Sequence, residues 1–332
     1  MRTGLSGDKV KLKILVTRAT FDDVIEALRE RFDVEDNQKD DTPWSADELR
    51  RRLADKDGVL PTGSDRVDAA VLDGAPRLKA VCNIAVGYNN IDLAACSERG
   101  ILATNTPEVL DDTTADMAWA LLMAAARRVT EAERWLRAGH WKGWKNDQFL
   151  GVDVHHAALG IIGMGRIGRA IALRARGFSM RVLYHNRNRL PKAVEKELGA
   201  KYVTLERLLK ESDFVSLNLP YAPSSHHLIG AREIALMKKS AVLVNTCRGG
   251  VVNEAALYAA MKTGHLFAAG LDVWEVEPPP KDHPLLTLPN VIATPHVAGN
   301  TFETQERSAL WVAQQAVDFL QGKPPKQENR VA

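Results

Sequence analysis

The chain reads as an α/β protein of two doubly wound parallel-sheet domains, and three observations predict this. At 332 residues it is long for one domain and suits two. A glycine-rich run, Gly160-Ile161-Ile162-Gly163-Met164-Gly165-Arg166-Ile167-Gly168, sits in mid-chain between a strand pattern and a helix pattern. Strand and helix patterns alternate on both sides of that run, which is the signature of parallel sheets covered by helices.

In chain order, the polar stretch 1–11 has no apolar centre and reads as a loose tail rather than a secretion signal. Residues 12–17 read as a strand and 22–31 as an amphipathic helix. Ser45, followed three positions later by Glu48, is a capping box opening a helix to about residue 54. Residues 58–60 form a short apolar strand before the Pro61-Thr62-Gly63 turn. Further strands cover 78–82 and 101–104, separated by a helix over 91–99. Residues 112–128 spell a long helix, apolar on most faces, which predicts burial between domains or subunits. Trp135, Trp141 and Trp144 follow. Residues 157–162 lead into the glycine run, and 166–176 form a helix with Ile167, Ile171 and Ala175 along one face. Strands recur at 181–184, 201–203, 214–217, 241–244, 268–271 and 291–293, predicting a six-stranded doubly wound domain over 110–297. The final helix, 304–321, most simply returns to the first unit, which makes that domain discontinuous (1–109 with 298–332).

Composition narrows the function. A 45% hydrophobic, 26% charged chain with net charge +2 is an ordinary globular protein without a basic field for nucleic acid or anionic membrane. Its longest apolar run, 117–126, is far short of the roughly 20 residues that span a bilayer. Three cysteines, Cys82, Cys96 and Cys247, are odd in number and widely spaced, which suits reduced thiols in the cytoplasm.

The pattern Gly163-x-Gly165-x-x-Gly168 between strand and helix is a pyrophosphate cradle. Gly163 permits the tight turn, Gly165 lets backbone approach the phosphates, and Gly168 lets helix and strand pack closely. The helix N-terminus, at Arg166 and Ile167, offers free N–H groups to the anion. Dinucleotide sites that take NAD place an acid about 20 positions on, where it holds the ribose hydroxyls. Here Asn186 lies 23 residues past Gly163, and the strand end Leu183-Tyr184-His185-Asn186-Arg187-Asn188-Arg189 has no carboxylate. Neutral Asn186 with Arg187 and Arg189 favours a 2′-phosphate, hence NADPH over NADH, unless both arginines are solvated surface charges.

Three later segments follow strands at their carboxyl ends, where ligands bind in open α/β sheets. They carry Thr246-Cys247-Arg248, then Asp272 and Glu277, then His296. An arginine can grip a carboxylate, a histidine can move a proton, and an acid can hold the imidazolium. Plainer readings also stand: Arg248 paired to a neighbouring acid, Glu277 in a surface turn, His296 structural. Cys247 has no nearby base and reads as a small packing residue. The pairs His155-His156 and His226-His227 have no third ligand in view; adjacent strand residues point to opposite faces, so no metal is expected.

These segments closely resemble the D-isomer-specific 2-hydroxyacid dehydrogenase family, and within it the bacterial glyoxylate/hydroxypyruvate reductase (2-ketogluconate reductase) branch. The resemblance runs from about Lys13 to Gln321. It is carried by Val86-Gly87-Tyr88-Asn89-Asn90-Ile91-Asp92, Thr106-Pro107, Ala115-Asp116, Asp153-Val154-His155-His156, the glycine run, Asn245-Thr246-Cys247-Arg248-Gly249, Gly270-Leu271-Asp272-Val273, Glu277-Pro278 and Pro295-His296. The Arg248-to-Glu277 spacing of 29 and the Glu277-to-His296 spacing of 19 also match.

The resemblance implies a flavodoxin-like substrate domain and a Rossmann cofactor domain with a cleft between them that closes. It implies that Arg248 binds the 2-oxoacid carboxylate and polarises its carbonyl, that His296 protonates the carbonyl oxygen as hydride arrives, and that Glu277 supports the histidine. It places Thr246 and Asp272 beside the cofactor, Asp272 near the nicotinamide carboxamide, and makes the Val86 and Gly87 amides a carboxylate anchor. Trp144 falls where related reductases reach into a partner's site, with burial at a dimer interface the equal alternative; a homodimer is expected. The implied reaction is NADPH-dependent reduction of a small 2-oxoacid (glyoxylate, hydroxypyruvate or 2-keto-D-gluconate) to the D-2-hydroxyacid.

Competing members are less well matched. D-3-phosphoglycerate dehydrogenase in its longer forms carries a further domain, for which no residues remain after Gln321. Formate dehydrogenases pair the histidine with glutamine, unlike Glu277. A dinucleotide-sensing corepressor brings partner-binding extensions that the short tails do not supply. The run Val297-Ala298-Gly299-Asn300 departs from the family's Gly-Ser-Ala after the histidine, so Ala298 and Asn300 are expected to alter the pocket.

Overall fold

In a computed structural model, residues 11–39, 42–324 and 329–331 are described, so the stretch read as an N-terminal tail lies outside them except for Lys11. The chain divides into two compact units, residues 1–110 with 301–332 and residues 111–300.

The first unit alternates β1 (Lys13–Val16), α1 (Asp22–Arg31), β2 (Asp33–Asp36), α2 (Ala46–Leu53), β3 (Gly58–Leu60), α3 (Ala69–Asp73), β4 (Ala80–Cys82), α4 (Leu93–Glu98) and β5 (Leu102–Thr104). All strands pair in parallel in the order β2-β1-β3-β4-β5, the flavodoxin-like order. Helix starts are set by short polar side chains: Ser45 accepts from the Glu48 amide, Asp68 from Val71 and Asp92 from Ala95. β2 and α3 escape a sequence reading. β2 spells Asp33-Val34-Glu35-Asp36, which lacks alternation, and is a strand because its backbone completes the edge beside β1. The returning helix α12 (Phe302–Leu320) packs its buried Ala309, Val312, Ala313 and Ala316 onto β3, β4 and α1.

The second unit opens with α5 (Asp111–Ala126) and α6 (Val129–Arg137). It continues β6 (Ala158–Ile162), α7 (Arg166–Ala175), β7 (Arg181–His185), α8 (Lys192–Leu198), β8 (Ala200–Tyr202), α9 (Leu205–Glu211), β9 (Phe214–Leu217), α10 (Ala231–Leu236), β10 (Val242–Asn245), α11 (Glu254–Lys262), β11 (Ala268–Leu271) and β12 (Val291–Ala293). Its sheet has seven parallel strands, not six, in the order β12-β11-β10-β9-β6-β7-β8. The strand that feeds the glycine loop is itself a member and stands where the order reverses, the switch point at which such sheets bind ligands.

The long apolar helix is also corrected. Its burial is supplied within its own unit: α5 lies on β10, β11 and α7, and a Cβ on Gly270 would come within 2.9 Å of the Leu121 Cβ. Arg128, at φ 51, stops α5 and lets a separate helix α6 begin. α6 buries none of its residues, and Val129, Leu136, Trp141 and Trp144 are exposed. No helix among the described residues is long and apolar enough to cross a membrane.

Candidate active site

The register of the second sheet sets the site. Ile162 pairs with Leu217, Leu217 with Asn245, Asn245 with Leu271, and Leu271 with Ala293. Parallel pairing therefore delivers the loops that begin at Gly163, Asn218, Thr246, Asp272 and Thr294 to one edge of the sheet.

At the switch point the glycine loop is shaped by steric necessity. Gly163 sits at φ +95, and a Cβ there would lie 2.4 Å from the Asn218 carbonyl oxygen. A Cβ on Gly168 would lie 2.3 Å from the Gly163 oxygen, so α7 can close onto the loop only without a side chain. Gly165 is the opposite case: a Cβ there would meet nothing within 4 Å, leaving the approach to the start of α7 open. The first-turn amides of Arg166, Ile167 and Gly168 have no intrahelical acceptor, and the helix dipole favours an anion beside them. Ile167 also packs into the unit's core, while Arg166 pairs with Asp111 at 3.2 Å. On the same edge, the buried Asn218 Oδ1 and Thr246 Oγ1 have no hydrogen-bond partner among the described residues. A buried polar atom left so costs about 1–3 kcal/mol, which a polar ligand would recover. The open cradle and the orphaned atoms fit a nicotinamide dinucleotide.

The end of β7 differs from expectation. Asn186 Oδ1 accepts the Met164 amide at 2.6 Å, so this side chain ties the glycine loop to β7. Arg189 is not available to fork a phosphate, because Nε and Nη2 already fork Glu195 at 2.8 and 2.7 Å. The Tyr184 hydroxyl donates to the same carboxylate, and the two partners hold Glu195 down at about 2. Arg187 is exposed and has no ion pair among the described residues, so it is the one cation of the two left for a ligand.

The chemical residues are brought together. His296 Nδ1 lies 2.7 Å from Glu277 Oε2, and the Trp274 amide donates to Glu277 Oε1 at 3.0 Å. Burial opposes charge on Glu277, but the His296 and Trp274 hydrogen bonds and the charge of Arg248 prevail and lower its pKa. An ionised carboxylate only accepts, so Nδ1 carries the proton and Nε2 is the imidazole atom left for substrate. His296 takes a left-handed backbone, φ 55, which costs on the order of 1 kcal/mol for a residue with a Cβ and persists where neighbours over-determine it. Those neighbours centre on Asp272. The His296 amide donates to the Asp272 carbonyl at 2.8 Å. The fully buried Asp272 carboxylate accepts from Thr294 Oγ1 at 2.5 Å and from the amides of Val297 and Ala298 at 2.9 and 2.8 Å. Asp272 thus holds the histidine loop through its buried carboxylate.

Arg248 follows β10 on a turn pinned by Asn245. Asn245 Nδ2 donates to the Arg248 carbonyl at 2.9 Å, and Oδ1 of the same side chain accepts the Cys247 backbone amide at 3.1 Å. The Arg248 guanidinium donates to the Cys247 carbonyl at 2.6 Å. Gly249 lies against the Trp274–Glu275 peptide so closely that a Cβ would fall 1.8 Å from the Trp274 carbonyl carbon. The Cys247 thiol is pushed up by burial, away from nucleophilic character.

In the first unit, Asn105 donates to the Val86 carbonyl and Asn83 to the Gly87 carbonyl, both at 2.8 Å. With their carbonyls so fixed, the Val86 and Gly87 amides donate to no acceptor among the described residues, and make an anion-accepting pair. Trp144 is 83% exposed.

The histidine pairs do not alternate as strand residues would, so the opposite-facing argument does not apply to them. His156 and His227 have φ 62 and 50, the His155 and His156 Nδ1 atoms are 2.9 Å apart, and the His226 and His227 rings stack at 3.8 Å. Among the described residues no group of three His, Cys, Asp or Glu side chains is placed to hold a metal ion. Residues that sequence reasoning passed over are Asn218, Thr294 and Trp274, whose signal was their position next to aligned strand ends.

The family described as D-isomer specific 2-hydroxyacid dehydrogenase, NAD binding domain, matches residues 119–298. A glyoxylate reductase of the archaeon Korarchaeum cryptofilum is 48% identical over 323 residues, covering 97% of each chain. The chain belongs to the D-isomer-specific 2-hydroxyacid dehydrogenase family. It is an oxidoreductase of that class, a 2-oxoacid reductase using a nicotinamide dinucleotide. Among solved structures, a Thermus thermophilus protein superposes with TM-score 0.90 at 42% identity, covering 97% of this chain and all of that one. A Sinorhizobium meliloti NADPH-dependent glyoxylate/hydroxypyruvate reductase, in complex with NADP and malonate, gives TM-score 0.85 at 31% identity, covering 97% of both.

Proposed function

We propose that this dehydrogenase is an NADPH-preferring reductase of small 2-oxoacids, with glyoxylate and hydroxypyruvate ahead of 2-keto-D-gluconate, yielding D-2-hydroxyacids. The observation that carries this reading is the His296–Glu277 pair at 2.7 Å, on the same sheet edge as Arg248 and the glycine loop. Relatives described as glyoxylate reductases support the substrate order, and the neighbour described as NADPH-dependent supports the cofactor. Exposed Arg187 beside neutral Asn186, in a run 183–189 without a carboxylate, further supports a 2′-phosphate.

When bound, the dinucleotide supplies a hydride to C2 of the substrate and leaves oxidised. The chain does the rest. Arg248 grips the substrate carboxylate and polarises the adjacent carbonyl. The proton on His296 Nε2 passes to the carbonyl oxygen as the C=O π bond gives way to new C–H and O–H bonds. Glu277 stabilises the imidazolium before transfer and keeps the proton of Nδ1 in place afterwards. Gly163, Gly165, Arg166, Ile167 and Gly168 hold the pyrophosphate, Thr246 takes part through its orphaned hydroxyl, and the Val86 and Gly87 amides anchor the substrate carboxylate.

The exposed Val129, Leu136, Trp141 and Trp144 are proposed to be covered in a homodimer, and three free cysteines fit the cytoplasm. Steady-state kcat/KM for glyoxylate, hydroxypyruvate and 2-ketogluconate with NADPH and NADH tests the assignment. We expect the highest value for glyoxylate or hydroxypyruvate with NADPH. Turnover of none of the three acids, or an NADH preference, overturns it.

A further inference from the structure

The loops that carry Arg248 and Glu277 are joined behind the site by a chain of polar contacts that the reaction itself does not use. It begins at His227, in the loop after β9. Asn253 Oδ1 accepts the Ala256 amide at 2.8 Å, so its Nδ2 is the atom turned to His227 Nδ1, 3.2 Å away. An amide nitrogen only donates, so His227 Nδ1 must accept, and the ring proton resides on Nε2. Nε2 then donates to Glu275 Oε1 at 3.0 Å, and the same oxygen takes the Glu254 amide, also at 3.0 Å. Glu275 thereby caps the start of α11. In return, the Glu275 amide donates to Glu254 Oε1 at 2.8 Å, and Glu254 Oε2 receives His283 Nε2 at 3.0 Å. The His227 amide donates to the Gly250 carbonyl at 2.8 Å, two residues from Arg248. Glu275 is two residues from Glu277, and Gly249 rests directly on the Trp274–Glu275 peptide.

We infer that His227, Asn253 and the reciprocal Glu254–Glu275 pair form a latch that sets Arg248 against the Glu277–His296 pair, making His227 a positioning residue for hydride transfer. A carboxylate grip and a proton donor act on adjacent atoms of one substrate, so their separation must hold within fractions of an ångström. Gly249 has no side chain to act as a spacer where the two loops touch. The latch supplies that constraint from behind. This inference rests on the reading of His296 and Glu277 as the proton-transferring pair.

The test uses the full chain with H227A, H227Q and N253D, and with H296Q alongside. We expect H227A to lose about 10- to 100-fold in kcat/KM for the 2-oxoacid, with the KM for NADPH within twofold of the parent. H227Q, whose amide can donate to Glu275, restores most of the loss. N253D keeps the helix cap but turns a carboxylate toward His227 Nδ1. The ring then lies between that new carboxylate and the one of Glu275, and becomes cationic. Also against the ring lie His226, at 3.8 Å between ring centres, and the Tyr221 hydroxyl bonded to His226. The kcat/KM of N253D should then fall at alkaline pH, as that proton leaves, more steeply than the parent's. Parental kinetics in H227A, equal damage in H227A and H227Q, or unchanged pH dependence in N253D overturns the latch. Parental turnover in H296Q overturns the proton-transfer reading instead. If H227A does not fold, H227Q and N253D still decide.

Discussion

Two ends of the dinucleotide-binding unit are built to opposite rules. At the ends of β10, β11 and β12, nearly every polar group is committed: Asp272 is fully buried with three side-chain and main-chain donors, and Glu277 is held from both sides. At the end of β7, Arg187 stands exposed and Arg189 is diverted to Glu195. The contrast teaches that bond-making is placed on a preorganised frame, because reacting atoms must be held in register. In the proposed function, cofactor choice falls to single surface side chains, where a charge can be exchanged without disturbing the core.

If that contrast holds, substitutions at the committed end should damage turnover or folding, and those at the exposed end only selectivity. The largest effect is expected from H296Q, which keeps shape but removes the acid: kcat should fall about 10²- to 10⁴-fold in stopped-flow or steady-state assays, with the NADPH Kd unchanged. D272N comes next. One amide proton would then face the Val297 or Ala298 N–H, at a cost of about 1–3 kcal/mol, read as a lowered midpoint in thermal unfolding. R187A should raise the KM for NADPH about tenfold, roughly 1.4 kcal/mol, and leave that for NADH within twofold. R189A should change neither, since its guanidinium serves Glu195; a larger effect in R189A than in R187A would erase the distinction drawn at the β7 end.

The smallest effect concerns acid. Glu277 has a lowered pKa in the folded chain, so it contributes stability that is fully present above the ordinary glutamate value of about 4.3 and is lost as pH falls through its lowered folded value. E277Q, which lacks that titration, should therefore lose less stability than the parent between neutral and acid pH in acid-unfolding curves, and identical acid losses would show that the pair adds nothing to folding.

Much of this was legible in the chain. The strands at 214–217, 268–271 and 291–293 coincide with β9, β11 and β12, because buried parallel strands are short apolar runs that leave little freedom. Arg248, Glu277 and His296 stood out because their motifs follow such strands. β2 did not, because an edge strand is decided by its neighbour's backbone rather than by its own acidic side chains. The break at Arg128 was hidden because a left-handed residue other than glycine leaves no mark in composition. The bonds that tie Asp272 to Thr294 and Arg189 to Glu195 were hidden too, since such partners are set by tertiary contact. A motif tells which residue stands at a strand end, and not which neighbour has already claimed it.

In the smaller unit, Val86 and Gly87 present main-chain N–H groups, with their carbonyls tied back by Asn105 and Asn83. Every amino acid but proline supplies the same N–H, so an alanine scan across this loop would pass over the proposed anchor in silence. Ester replacement of those two peptide bonds, or changes to the tethering asparagines, would make it visible.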